Sequence, residues 1–178
     1  GLKTLSQEQG GTLFMGLLAA VNVLLHRYTN QEDIIIGSPI AGREHVDLEN
    51  QIGFYVNALV LRTQCKGEDS FKELLQKVKQ KTLEAYEHQL YPFDELVHEL
   101  NLQRDMSRSP LFDVMVVLQN TELNNRQQEQ TLTELKVSRY DGAENLVSKF
   151  DLTFNFEEIA EAIQASIEYN SDIYNKST

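Results

Sequence analysis

Four histidines, one cysteine and a few polar residues set inside apolar runs are the side chains here that could do chemistry. General acid–base or nucleophilic work needs a histidine placed against a nucleophile or a metal. His26, His45, His88 and His98 are scattered along the chain, with no H-E-x-x-H pair and no G-x-S-x-G turn to present a serine. Each reads as a surface or helix-end residue. No glycine-rich phosphate loop is present. Cys65 stands alone, which excludes an internal disulfide and a cysteine-based zinc site and fits a reducing compartment. The chain is therefore expected to hold no catalytic residue and no metal ligands of its own.

The informative polar residues are those that interrupt apolar stretches. GSPIAGRE (residues 37–44) follows the triplet Ile34, Ile35, Ile36 and carries Arg43. A polar loop between two buried strands is a way to aim a guanidinium into a cleft, and a plain solvent-facing turn arginine fits the same residues. Asn57 sits within IGFYVNALVLR (residues 52–62), able either to offer its amide to a ligand or to satisfy neighbouring backbone. Gln119, followed by Asn120, ends another apolar run and either lines a channel or opens a loop.

The elements that must position these residues follow from periodicity. Phe14, Leu17, Leu18, Val21, Leu24, Leu25 and Tyr28 recur at helical spacing, with Thr12 to cap the start and Thr29-Asn30 to stop it. Further apolar residues widen the stripe and predict a helix buried on nearly every face. Residues 33–39 read as a buried strand, and 53–63 as a second strand placed centrally in a sheet. Ser70 to Glu73 is an S-x-x-E capping box opening a helix to about His88, whose Lys72, Lys77, Lys79 and Lys81 form a solvated face. Pro92 suits the first position of a short helix with Leu96, Val97 and Leu100 inward. Residues 111–118 give another strand, 121–131 a polar excursion, and Leu135, Val137 and Tyr140 a weaker strand. Residues 150–157 and 163–170 alternate as a hairpin with one apolar and one wet face. The fold class is α/β, a mixed β-sheet with helices packed on it and an antiparallel C-terminal hairpin.

At 178 residues, 41% hydrophobic and 24% charged, the chain suits one well-cored domain. A net charge of −11 argues against a nucleic-acid partner. The longest apolar run, Leu13 to Leu25, is shorter than the ~20 residues a membrane span needs. A cytoplasmic location without membrane contact is expected.

Three segments read together resemble signature motifs of the condensation domains of non-ribosomal peptide synthetases. IGFYVNALVLR, HQLYPFDEL (88–96) and RDMSRSPLF (104–112) are similar, in order and spacing, to IGxFVNTxxxR, H/N-Q-x-x-PFE and RDxSRNPL. The flanks TLFMGLLAAVNVLLHRYTNQEDIIIGSPIAGRE and SKFDLTFNFEE extend the resemblance over almost the whole chain. Tyr55, Ala58, Asp94 and Ser109 depart from the usual Phe, Thr, Glu and Asn. The resemblance implies one lobe of a chloramphenicol-acetyltransferase-like pair with a tunnel between them. It further implies amide formation between thioesters tethered to phosphopantetheine arms on carrier proteins.

The family's HHxxxDG motif belongs to the first lobe and does not occur in this sequence. Residues 1–178 are thus expected to be the C-terminal lobe, inactive alone, with the N-terminal lobe, peptidyl or aminoacyl carrier proteins and neighbouring synthetase domains as partners. A non-catalytic scaffold module, or the lobe of an epimerisation-type relative, is the alternative. By the same resemblance Arg43 reaches toward the aspartate of the absent motif, and Asn57 and Gln119 support the tunnel or the cross-lobe contact. Gly53, His88, Pro92, Phe93, Arg104, Asp105, Arg108 and Pro110 are implied to be structural.

Overall fold

In the computed structural model, residues 1–102, 108–119, 147–159 and 162–177 are described. Strands β1 (Asp33–Ile40), β2 (Asn57–Gln64), β3 (Val114–Gln119), β4 (Leu152–Ile159) and β5 (Ala162–Tyr169) form one sheet in the order β2-β1-β3-β4-β5. The inner strands β1, β3 and β4 run parallel, and the flanking β2 and β5 run antiparallel to their neighbours. Ser38 Oγ donates to the Val116 carbonyl at 2.9 Å, adding a side-chain tie between β1 and β3.

Two long helices cover one face of the sheet. A short helix that the sequence pattern does not announce, α1 (Leu2–Glu8), precedes the first of them. Helix α2 (Leu13–Thr29) starts where Thr12 Oγ1 accepts from the Met15 amide and stops at Asn30, which takes the left-handed conformation at φ 56°. A single helical turn, α3 (Val46–Glu49), lies in the connection from β1 to β2. Helix α4 (Phe71–Glu87) begins at the expected capping box, where Ser70 Oγ accepts from the Glu73 amide and the Glu73 carboxylate accepts from the Ser70 amide at 2.8 Å. Leu18, Val21, Leu74, Leu75 and Val78 of the long helices pack on Ile34, Ile36, Leu59, Leu61, Val116 and Phe154 of the sheet. Each such side chain taken fully from water contributes about 1.5–3 kcal/mol before conformational entropy is counted.

Three expectations change. The strand read from Gly53 begins at Asn57, and it lies at the sheet's edge rather than its centre. Residues 52–56 are apolar without being buried: Ile52 is 104% exposed and Phe54 90%. Helix α2 is not buried all round, since Ala20, Leu24 and Tyr28 face outward. The C-terminal hairpin pairs in its expected alternation, but Ile163 and Ile167 of β5 are exposed because the helices reach only as far as β4. At the opposite edge Arg62 grips Asp33 through both carboxylate oxygens, and these hydrogen bonds hold the Asp33 carboxyl below its usual pKa.

Candidate functional site

The three inner strands run the same way, so the loop after β1, the start of β2 and the end of β3 converge at one edge of the molecule. Gly37 lies beside Met115 in the β1–β3 register, and β1 closes on Asn57 through Ile40. Arg43, Asn57 and Gln119 therefore belong to the same end of the sheet. In open α/β sheets the carboxyl ends of parallel strands are where ligands bind.

Arg43 organises the loop in which it sits. Its Nη1 donates to the carbonyls of Leu48 and Gln51, the latter at 2.8 Å, and its Nη2 to that of Gly53 at 3.3 Å. The guanidinium also lies over the Tyr55 ring, 4.5 Å from its centroid. Tyr55, where phenylalanine is usual in the resembled motif, uses its hydroxyl to donate to Gln51 Oε1 at 2.8 Å. Gly42 makes the neck: its φ is +62°, and a Cβ there would fall 2.0 Å from the Tyr55 carbonyl oxygen. Between neck and latch sits α3, capped by His45 Nδ1 accepting from the Asp47 amide.

Asn57 joins two of the sequence segments that resemble motifs. Its Nδ2 donates to the carbonyls of Gln89 and Tyr91 at 2.9 and 2.8 Å, and its Oδ1 accepts from the Phe93 amide at 3.1 Å. That amide is one of the orphan donors opening helix α5 (Phe93–Glu99), so Asn57 supplies the cap that Pro92, in the N-cap position, cannot. Pro92 thus stands just before the helix rather than inside it. Phe93 rests on Phe112 with centroids 5.6 Å apart, and Phe112 on Phe150 at 5.4 Å. This aromatic row threads the HQLYPFDEL, RDMSRSPLF and SKFDLTF segments together. His88 ends α4 with its side chain exposed, and Pro110 is exposed before Phe112.

The opposite end of the sheet carries a different cluster. An open pocket of about 360 Å³ is lined by Arg108, Asp113, Lys149, Phe150, Asp151 and Asn170, with two serines beside them. Arg108 Nη2 donates to Asp113 Oδ2 at 2.6 Å. Burial, and then the Asp113 charge, push the Asp151 carboxyl above its usual pKa, with Arg108 pulling the other way. Arg108→Ala is expected to lower stability by about 1 kcal/mol near neutral pH, the scale of an exposed ion pair. Losing the guanidinium raises the Asp151 pKa further. The deficit is therefore full while Asp151 is ionised and shrinks as pH falls through that raised pKa. Melting curves at pH 7 and pH 4 check this; an equal deficit at both would contradict it.

The remaining candidates are dispersed. His26 Nδ1 lies 2.7 Å from the Gln31 carbonyl, and His98 closes the last turn of α5. Burial pushes the Cys65 thiol up. Among the described residues no group of three His, Cys, Asp or Glu could hold a metal, and no single helix is long and apolar enough to cross a membrane. Arg104, Asp105, Asn120, the 121–131 excursion and the weak strand at 135–140 lie outside the described residues. What sequence reasoning missed is the pairing of Arg43 with its own loop. The one available signal was Gly53, whose carbonyl, with no side chain beside it, closes the latch.

An open mixed sheet with two helices on one face and an antiparallel hairpin at its edge is the mixed α/β architecture of the chloramphenicol-acetyltransferase-like fold. The X-domain from teicoplanin biosynthesis superposes with a TM-score of 0.86 at 25% identity, over 99% of this chain and 40% of that one. The condensation domain family model matches residues 1–178, and the chain belongs to that family. It is 48% identical to tyrocidine synthase 3 of Brevibacillus parabrevis over 99% of its length, and 43% identical to bacitracin synthase 1 of Bacillus licheniformis over 98%. It spans 3% of the length of each of those two relatives.

Proposed function

We propose that residues 1–178 are the C-terminal lobe of a condensation domain that joins carrier-tethered aminoacyl or peptidyl thioesters through an amide bond. The observation that carries this reading is the frame built by Arg43, Asn57 and Phe93. Two sequence segments far apart in the chain are bolted together at the carboxyl end of the parallel strands, with Gln119 at the same end. Such a frame, as one wall of the tunnel, aligns two tethered reactants and keeps water from the thioester. No base is assigned to this chain: His26 lies at the Gln31 carbonyl, His45 caps α3, and His88 and His98 stand at helix ends. The base belongs to an HHxxxDG-bearing N-terminal lobe, and the phosphopantetheine arms to the carrier proteins rather than to this chain. Arg43 holds the wall's loop, with Asn57 and Gln119 as its supports. Gly53, His88, Pro92, Phe93, Arg104, Asp105, Arg108 and Pro110 have structural roles. Neighbouring synthetase domains complete the cytoplasmic assembly.

The test mixes the purified chain with a separately expressed first lobe and two aminoacyl carrier proteins, and follows dipeptidyl-carrier formation by intact-protein mass spectrometry. Product is expected only when both lobes are present. Product from this chain alone, or none from the pair although the lobes bind each other, would overturn the reading.

A further inference from the structure

We propose that the latched loop, the 88–92 turn and α5 form a docking face for a protein partner whose own surface is apolar at the centre and lined with lysines and arginines. The inference takes the location of the closing wall from the proposed function and adds the chemistry of what meets it.

Val46, Ile52, Phe54, Val56, Leu90 and Tyr91 are all exposed here, Leu90 at 70%. The Asn57 bonds to the carbonyls of Gln89 and Tyr91 hold the start of β2 against the turn that carries Leu90 and Tyr91. Exposed apolar residues on a slack loop would mean little. These are carried on a loop that Arg43 fastens at three carbonyls and one aromatic ring, so their presentation is fixed before any partner arrives.

Charge then selects the partner. Residues 44–61 and 82–102 contain eight Asp and Glu residues and no Lys or Arg. Glu44, Glu49, Asp94 and Glu95 are exposed and have no ion-pair partner among the described residues. Arg43 and Arg62, which flank the first segment, are held by the loop's own carbonyls and by Asp33. The lysines of α4 lie in its first three turns, and Lys77 and Lys81 are held by Asp69 and Glu84. An apolar centre with an unbalanced anionic rim favours a cationic rim opposite, through faster encounter and through rejection of acidic surfaces. The same rim opposes a second copy of this chain and an anionic membrane.

The probe is a synthetic amphipathic helix of leucine and lysine, with its leucine–glutamate counterpart as control. Binding to the intact chain is followed by fluorescence anisotropy and mapped by amide hydrogen exchange. The Leu–Lys helix is expected to protect residues 44–56 and 88–100, to weaken about tenfold or more on going from low salt to 0.5 M salt, and to outbind the Leu–Glu helix. Phe54→Ser, an exposed change whose fold is checked by melting, is expected to weaken it about fivefold. Three results would each overturn the proposal: protection lying elsewhere, as generic attraction to a chain of net charge −11 would give; equal binding of the acidic helix; or dimerisation of the free chain through this face in sedimentation. Failure here leaves the two-lobe amide assay untouched, and failure of that assay leaves these binding results standing.

Discussion

Gly37→Ala is expected to destabilise the protein by about 2–3 kcal/mol, a large cost for one methyl group. Gly37 lies inside β1, where its backbone conformation is ordinary and an alanine would normally fit. The obstacle is Phe112. A Cβ on Gly37 would sit 2.2 Å from Cε2 and 2.3 Å from Cζ of that ring. The ring cannot swing aside cheaply, because it is 4% exposed and wedged between Phe93 and Phe150. Moving it displaces Phe93 and hence the start of α5. Urea denaturation measures the loss, and a double-mutant cycle identifies its cause. Phe112→Ala alone should cost about 3–5 kcal/mol by leaving a cavity. In the double variant the new methyl fills part of that cavity, so the combined loss should fall short of the sum by about 1–2 kcal/mol. Simple additivity would show that the methyl and the ring do not meet.

The helices were the most legible part of the sequence, because their signals are local. Thr12, Asn30, Ser70 and Glu73 act within a turn of where they stand, so their bonds follow from spacing alone. The alternation from Leu152 to Tyr169 was equally direct, since pairing follows a period of two whether or not a face is covered. Burial was less legible. Ile52, Phe54 and Val56 have the composition of a core strand, yet they are exposed, because they precede Asn57, the first residue of β2 to pair with the sheet. Ile163 and Ile167 mislead as well, at the far edge of the sheet.

The site was legible as a set of residues and opaque as a set of bonds. Arg43 and Asn57 stand out in sequence because each is polar in apolar surroundings. Nothing local says that Arg43 turns back on the carbonyls of its own loop. Nothing local says that Asn57 binds a turn more than thirty residues later. Those partners are backbone atoms, which leave no trace in residue identity. Only the fold, by bringing the 89–93 turn beside β2, gives the amide something to hold.

Asn57→Ala is accordingly expected to cost about 2–3 kcal/mol, the sum of three modest hydrogen bonds whose backbone partners are left partly covered. The loss should be local: amides from 88 to 99 should exchange faster, while the core of α2 and β1 is unchanged. Asn57→Asp makes the chemistry readable. A carboxylate can still accept from the Phe93 amide, and the helix start favours its charge. It also faces the carbonyl oxygens of Gln89 and Tyr91, where Asn57 donates, and the acids Asp94 and Glu95 begin the same helix. Two carbonyl dipoles and two acids against one donor should raise its pKa above the ordinary value of about 3.9. A carboxyl with a raised folded pKa destabilises when ionised, so the Asp variant should be weakest near neutral pH. It should regain stability relative to wild type as pH falls through that pKa, when the acid can donate to one carbonyl. The Ala variant has no proton to gain, and its deficit should stay level over the same range. Parallel pH dependence in both variants would mean that the side chain at 57 does not bind the turn through its amide.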